Sequence, residues 1–170
     1  MKKPIVKLAA LFVGVLLEAL LLCYWQVYTF PAAKTAAAIA GKESLVFITA
    51  VIGYLVTTVL SALIPVALYL IITGISANKE GLVAPAPKTQ LAMYYYVNCL
   101  FVTTLTLVFT YFTHNAVPAV ATMAVYYGGV IIQLLLSYSV FGKRRGAYGI
   151  FAIVILVLAS INPIMQLFAK

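Results

Sequence analysis

The 170-residue chain contains no aspartate, and its acidic residues are three glutamates. Without Asp, it cannot supply the aspartate pair of an intramembrane protease, an Asp-rich magnesium site or an Asp-containing catalytic triad. A single histidine, His114, excludes a bis-histidine haem within one chain and a zinc-binding HExxH helix. The two cysteines, Cys23 and Cys99, lie in apolar runs without the spacing of a metal or redox motif. We therefore predict no cofactor, no metal site and no catalytic residues.

Charged residues are scarce at 8% of the chain, whereas 65% of the residues are hydrophobic. Soluble domains carry roughly 25% charged residues, and a fold of about 150 residues still leaves roughly 30% of its unfolded-chain surface in water. The composition therefore predicts an integral membrane protein embedded in a lipid bilayer. The net charge of +8 is explained by Lys and Arg at the cytoplasmic flanks of spanning helices, so we expect no nucleic-acid partner.

Five apolar stretches are each long enough to cross a hydrocarbon core of about 30 Å, which takes about 20 helical residues. Their approximate bounds are 8–30, 45–75, 91–113, 117–141 and 147–168. The stretches are continuous rather than alternating, which favours helices over a β-barrel. We predict an all-α integral membrane protein, a bundle of about five transmembrane helices that forms one domain over residues 1–170.

The connections between these stretches make further predictions. Stretch 45–75 is overlong and contains Pro65, which predicts either one kinked helix or a broken segment with a re-entrant turn. The Ala-rich connection 31–43 could form a short interfacial helix, and Ser76–Gln90, with its two prolines, predicts a stiff, partly extended linker. The later turns are short, so the third and fourth helices, and the fourth and fifth, should be antiparallel neighbours.

Basic residues predict the orientation. With the N-terminus inside, eight of the eleven Lys and Arg residues lie on the cytoplasmic side, and Lys34, Lys42 and Lys170 lie outside. The cytoplasmic set is Lys2, Lys3, Lys7, Lys79, Lys88, Lys143, Arg144 and Arg145. This bias predicts a cytoplasmic N-terminus and an external C-terminus in the plasma membrane of a bacterial cell. Tyr94–Tyr96 and the aromatic residues at 109–112 fit the belts at the two interfaces.

Small and weakly polar residues recur on one face of each of the first four helices, because residues four apart share a face. These stripes are Ala10, Gly14 and Glu18; Gly53, Thr57, Ser61 and Pro65; Cys99, Thr103, Thr106 and Thr110; and Gly129, Gln133 and Ser137. Such residues let membrane helices pack closely. The stripes are therefore packing surfaces, or in part the lining of a substrate path.

Three polar residues within the spans form our candidate intramembrane site: Glu18, Asn98 and Gln133. Each lies ten or eleven residues from a cytoplasmic basic residue, which places all three at a similar depth of about 15 to 17 Å. A mid-membrane charge costs at least about 2.5 kcal/mol. Glu18 could be a neutral carboxyl bonded to a neighbour, with Gln133 the best candidate, a contact for a partner protein, or a cation or proton site.

The sequence predicts a small polytopic membrane protein without catalytic motifs. We expect a transport-type or accessory subunit that works with membrane partners, self-associates or binds an unidentified small molecule in its bundle. An oligomeric small channel or holin-like protein is the alternative. A membrane enzyme acting on a lipid or isoprenoid is a second alternative, although its one dense basic cluster, at 143–145, is explained by topology.

Overall fold

The computed structural model describes residues 2–29, 39–80, 86–114, 117–142 and 144–168. Within these ranges the chain is all-helical, without strands, and forms five long helices. Helix α1 covers Lys2–Tyr24 and continues into a π-helical turn at Trp25–Thr29; the others are α2 (Glu43–Glu80), α3 (Ala86–Thr113), α4 (Ala119–Phe141) and α5 (Arg145–Phe168). The predicted all-α class is confirmed for the described residues.

Four of these helices are long and apolar enough to cross a membrane. Their apolar segments are Pro4–Thr29, Glu43–Gly74, Lys88–Thr113 and Val120–Phe141, and the apolar part described for α5, Arg145–Ile161, is shorter. Large apolar side chains on α1, α2 and α4, such as Leu17, Ile52 and Leu135, point outward. Water would penalise this surface, whereas lipid tails are as apolar as the side chains themselves.

Helix α2 settles the alternatives for residues 45–75, because it is one helix of 38 residues that runs through Pro65. At 1.5 Å per residue it is about 57 Å long, well beyond a hydrocarbon core of about 30 Å. Pro65 is fully buried. A broken segment with a re-entrant turn is therefore wrong for this stretch.

The α2–α3 linker is shorter than predicted. Helix α2 continues to Glu80 and α3 begins at Ala86, so the interpretation of Ser76–Gln90 as an extended linker is wrong for most of that range. Pro87 lies in the first turn of α3, where a missing N–H breaks no helical hydrogen bond. The predicted interfacial helix at 31–43 lies mostly outside the described residues.

Helices α1 and α3 run parallel with a constant register. Gly14 faces Leu100, and Thr104 bonds to Glu18, with partners 86 positions apart in both cases. The rings of Trp25 and Tyr111 also stack, at 6.1 Å between centroids, with the same offset.

Helix α3 is antiparallel to its neighbour α4, and α4 is antiparallel to α5, as the short turns predicted. Tyr94 near the start of α3 bonds to Ser139 near the end of α4, at 3.3 Å. The Tyr127 hydroxyl of α4 donates to Ser160 of α5 at 3.2 Å. Gly142, with a φ of +55°, ends α4 in a conformation that an L side chain rarely adopts.

Two hydrophobic clusters hold the bundle together. The larger joins α2, α3, α4 and α5 beside the α4–α5 turn, with Leu91 as the contribution of α3, and the Phe141 ring lies 5.2 Å from Tyr69 and 5.0 Å from Phe151. The smaller joins α1, α2 and α3 around Val15, Ala62 and Tyr96. Tyr96 is buried, so its assignment to an interfacial belt is wrong.

Candidate functional site

A cavity of about 330 Å³ lies between α2, α3, α4 and α5, towards the middle of the bundle. Its walls combine aliphatic side chains with tyrosine, amide and hydroxyl groups, and none of the described residues that line it is charged. Ligand pockets in proteins typically measure about 300 to 1,000 Å³ and carry a few polar groups on a mainly apolar lining. This cavity has the size and composition of a pocket for a small molecule.

Asn98 and Gln133, two of the three predicted site residues, form one buried pair in the cavity wall. The Asn98 Nδ2 donates to Gln133 Oε1 at 3.0 Å, joining α3 to α4. The side chains are only 6% and 4% exposed, respectively. Ser137, one turn from Gln133, is also buried and bonds to the Gln133 carbonyl at 2.7 Å. The structure thus brings the α4 stripe against α3, inside the chain.

Gly129 makes the close approach of α3 and α4 possible. The Asn98 Oδ1 atom has no hydrogen-bond partner in the described part of the chain, and it lies directly against Gly129, where a Cβ would overlap it. A Cα–H···O contact of this kind contributes only weakly. The same Cβ would come within 2.7 Å of Val102. A glycine is therefore required at position 129 for Asn98 to fit between α3 and α4 and bond to Gln133.

Two tyrosines add hydroxyl groups to the cavity. The Tyr54 hydroxyl of α2 lies 3.0 Å from Thr103 Oγ1 of α3, within hydrogen-bond distance. Tyr95 lies beside Ser61 and Cys99 and interacts with both. These five residues all line the cavity. The predicted Thr103 stripe therefore combines packing with cavity lining.

Pro65 provides a further polar group. In an α-helix the N–H of residue 65 would donate to the carbonyl of residue 61. Proline has no N–H, so the Ser61 carbonyl lacks its usual partner. Both residues line the cavity, so this carbonyl is a backbone acceptor that belongs to a lining residue of α2.

Glu18 does not lie at the same depth as Asn98 and Gln133. The Thr104 hydroxyl donates to Glu18 Oε1 at 2.6 Å, whereas the buried Oε2 atom has no hydrogen-bond partner in the described ranges. Thr104 lies six residues beyond Asn98 on α3, or about 9 Å along the helix. The expectation that Gln133 satisfies Glu18 is therefore wrong.

Sequence reasoning missed Tyr54 and assigned Tyr95 to the interfacial belt. The sequence contained a partial indication of their role, because a tyrosine buried within an apolar span needs a hydrogen-bond partner for its hydroxyl group. The predicted α2 stripe is correct only in its second half, since Gly53 and Thr57 are exposed and Ser61 and Pro65 line the cavity.

In the described residues, no three His, Cys, Asp or Glu side chains converge into a group that could hold a metal ion. The cavity wall offers hydrogen bonds and apolar contact. Searches of protein-family models, curated proteins and solved structures found no match to the chain.

Proposed function

We propose that this protein is a non-catalytic, multi-pass membrane protein that binds a small molecule inside its helical bundle, as a transport-type or accessory subunit. The observation that carries the proposal is the convergence of the Asn98–Gln133 pair and the Tyr54–Thr103 pair on one cavity. Burying polar groups in a membrane core is costly. A cavity that gathers them from three helices is better explained by a ligand than by packing.

The two alternatives receive less support. A holin-like oligomer would use its polar stripes between chains, but Gln133 and Ser137 are buried within this chain. An enzyme acting on lipids or isoprenoids would need an acid, a base or a phosphate-binding cluster beside its substrate. The described residues that line the cavity include no His, Glu, Lys or Arg.

The proposal places the N-terminus in the cytoplasm and the protein in the plasma membrane of a bacterial cell. The parallel α1 and α3 and the antiparallel α4 and α5 bring Lys7, Lys88 and Arg144 to one end of the bundle, which supports the positive-inside assignment. In a variant without native cysteines, an impermeant maleimide applied to intact cells should label a cysteine at Lys34 and spare one at Arg144. Equal labelling would contradict this orientation.

The binding proposal is tested by native mass spectrometry after extraction into lipid nanodiscs. Ala159→Phe places a ring in the cavity, since Ala159 is a small lining residue of α5. Leu135→Phe is the matched control, because Leu135 is 68% exposed on the outside of α4. We expect a bound small molecule on the wild type and on Leu135→Phe, and none on Ala159→Phe. No bound molecule on the wild type, or equal binding to both variants, would contradict the proposal.

A further inference from the structure

We propose that the ligand is an uncharged amphipathic molecule with a hydrogen-bond donor, and that it enters the cavity sideways from the lipid, between α2 and α5. This inference rests on the proposed binding function. It specifies the chemical class of the ligand and its route.

The lateral route follows from the rim of the cavity. Ile64 of α2 and Leu158 of α5 both line the cavity, yet they are 41% and 40% exposed. Their neighbours Leu63 and Val157 are also exposed. Side chains that face the cavity and the lipid together mark an opening in the side of the bundle. We call the gap between Ile64 and Leu158 the portal.

The bundle closes on one side of the portal. Towards the α4–α5 turn, Tyr69 and Ile72 of α2 pack with Phe151 and Ile155 of α5 in the larger hydrophobic cluster. At the level of the cavity each of the two helices contributes a small lining residue, Ser61 on α2 and Ala159 on α5. Large side chains thus join the two helices at one end, and small ones leave space beside the portal.

The absence of charge in the cavity wall indicates a neutral ligand. A charged group at mid-membrane depth is tolerated only when a partner or water compensates it, and none of the described lining residues carries a charge. Glu18 is not among the lining residues. A neutral molecule also partitions into lipid, as a lateral route requires.

A backbone acceptor of a lining residue, the Ser61 carbonyl, indicates that the ligand carries a donor. Asn98 Nδ2 donates one of its two hydrogens to Gln133, and one of the hydroxyls of Tyr54 and Thr103 donates to the other, so these groups keep hydrogens of their own. The Ser61 carbonyl lacks its helical donor because of Pro65. A ligand N–H or O–H could satisfy that acceptor. The volume of about 330 Å³ lies at the small end for ligand pockets and suits a ring of modest size.

Cys99 provides a native reporter, because it lines the cavity whereas the other cysteine, Cys23, does not. A Cys23→Ala variant in phosphatidylcholine vesicles is treated with lipophilic N-cyclohexylmaleimide or with a maleimide carrying a quaternary ammonium. Each rate is divided by the rate for the same reagent with SDS-unfolded protein. We expect the lipophilic reagent to label Cys99 faster by about tenfold or more, since a fixed charge is excluded from the hydrocarbon.

Portal variants test the route. Leu158→Trp and, separately, Ile64→Trp should slow the lipophilic reagent severalfold, and Leu135→Trp on the lipid face of α4 should leave its rate unchanged. Unchanged rates in both portal variants, or rapid labelling by the charged reagent, would overturn the lateral route while leaving the binding proposal intact. Failure of both reagents to reach Cys99 would overturn the binding proposal as well.

Indole and 1-methylindole test the ligand class, because they have similar size and differ in the N–H donor. Indole should protect Cys99 from N-cyclohexylmaleimide more strongly than 1-methylindole does. In Pro65→Ala, which returns an N–H to the Ser61 carbonyl, that difference should shrink. Equal protection by the two compounds in the wild type, or no protection by either, would overturn the donor requirement.

Discussion

Adjacent glycines of α4 allow a matched test of the close helix contact. A Cβ at Gly129 would overlap Asn98 Oδ1 and lie 2.7 Å from Val102 Cγ2. A Cβ at Gly128 would meet only Phe101 Cε1, at 4.0 Å, which is an ordinary contact. Both glycines are in the interior of the same helix. Gly129→Ala and Gly128→Ala therefore differ mainly in the space available.

The expected difference follows from three terms. Replacing a helical glycine by alanine favours either variant by roughly 0.5 to 1 kcal/mol, through a reduced loss of backbone entropy. Overpacking at Gly129 costs about 1 to 3 kcal/mol, and displacing Asn98 from Gln133 costs about 0.6 kcal/mol more by the average for membrane helices. The propensity gain cancels between the variants, which leaves Gly129→Ala less stable than Gly128→Ala by about 1.6 to 3.6 kcal/mol.

Thermal unfolding in mild detergent, followed by the fluorescence of the single tryptophan, Trp25, measures this difference. A difference of that size corresponds to about 3 to 14 °C in Tm for a chain of this length. Adding Asn98→Ala to Gly129→Ala should cost less than the sum of the two changes, because it makes room for the new methyl group. Equal Tm values for the two glycine variants would refute the reasoning.

Three further substitutions test individual residues by the same Tm measurement. Glu18→Leu should raise the Tm, because it removes the buried Oε2 atom, which has no hydrogen-bond partner in the described part of the chain. The Thr104 hydroxyl can turn to a backbone carbonyl, and a marked fall in Tm would indicate that Glu18 stabilises the fold. Tyr54→Phe should lower the Tm only slightly, in line with the average of about 0.6 kcal/mol for hydrogen bonds between membrane helices, and a fall as large as that of Gly129→Ala would contradict this. Pro65→Ala should raise the Tm by restoring a helical hydrogen bond, and a lower Tm would indicate that the proline ring is needed for packing.

The five helices could be predicted from the sequence because long apolar runs in a membrane protein have few alternatives to helix. Their ends were less predictable. Helix α2 extends five residues past the predicted end at residue 75, because hydropathy reports where the lipid stops and gives no signal for where the helix stops. Lys79 and Glu80 are good helix formers, so the helix continues beyond the apolar stretch.

Residue type identified the polar candidates, and depth counting placed Asn98 and Gln133 in one layer, where they bond, but it placed Glu18 at the wrong level. Counting residues from Lys7 and Lys88 assumed that these two side chains lie at the same level. The register of α1 on α3, with an offset of 86 residues, instead places Lys7 level with Met93. Five residues correspond to about 7.5 Å, which is more than one helical turn. Side-chain contacts between helices set this offset, and hydropathy does not record them.

The corrected register separates the polar residues into two sites. Asn98 and Gln133 lie in the cavity wall, whereas Glu18 and Thr104 lie between α1 and α3, about 9 Å further along α3. Glu18 is therefore not placed to contact a ligand in the cavity. Thr104 follows Thr103, which lines the cavity and bonds to Tyr54. Glu18 also lies close enough to Tyr54 and Cys99, which line the cavity, to interact with both electrostatically, so a change at Glu18 can act on the cavity through space as well as through this turn of α3.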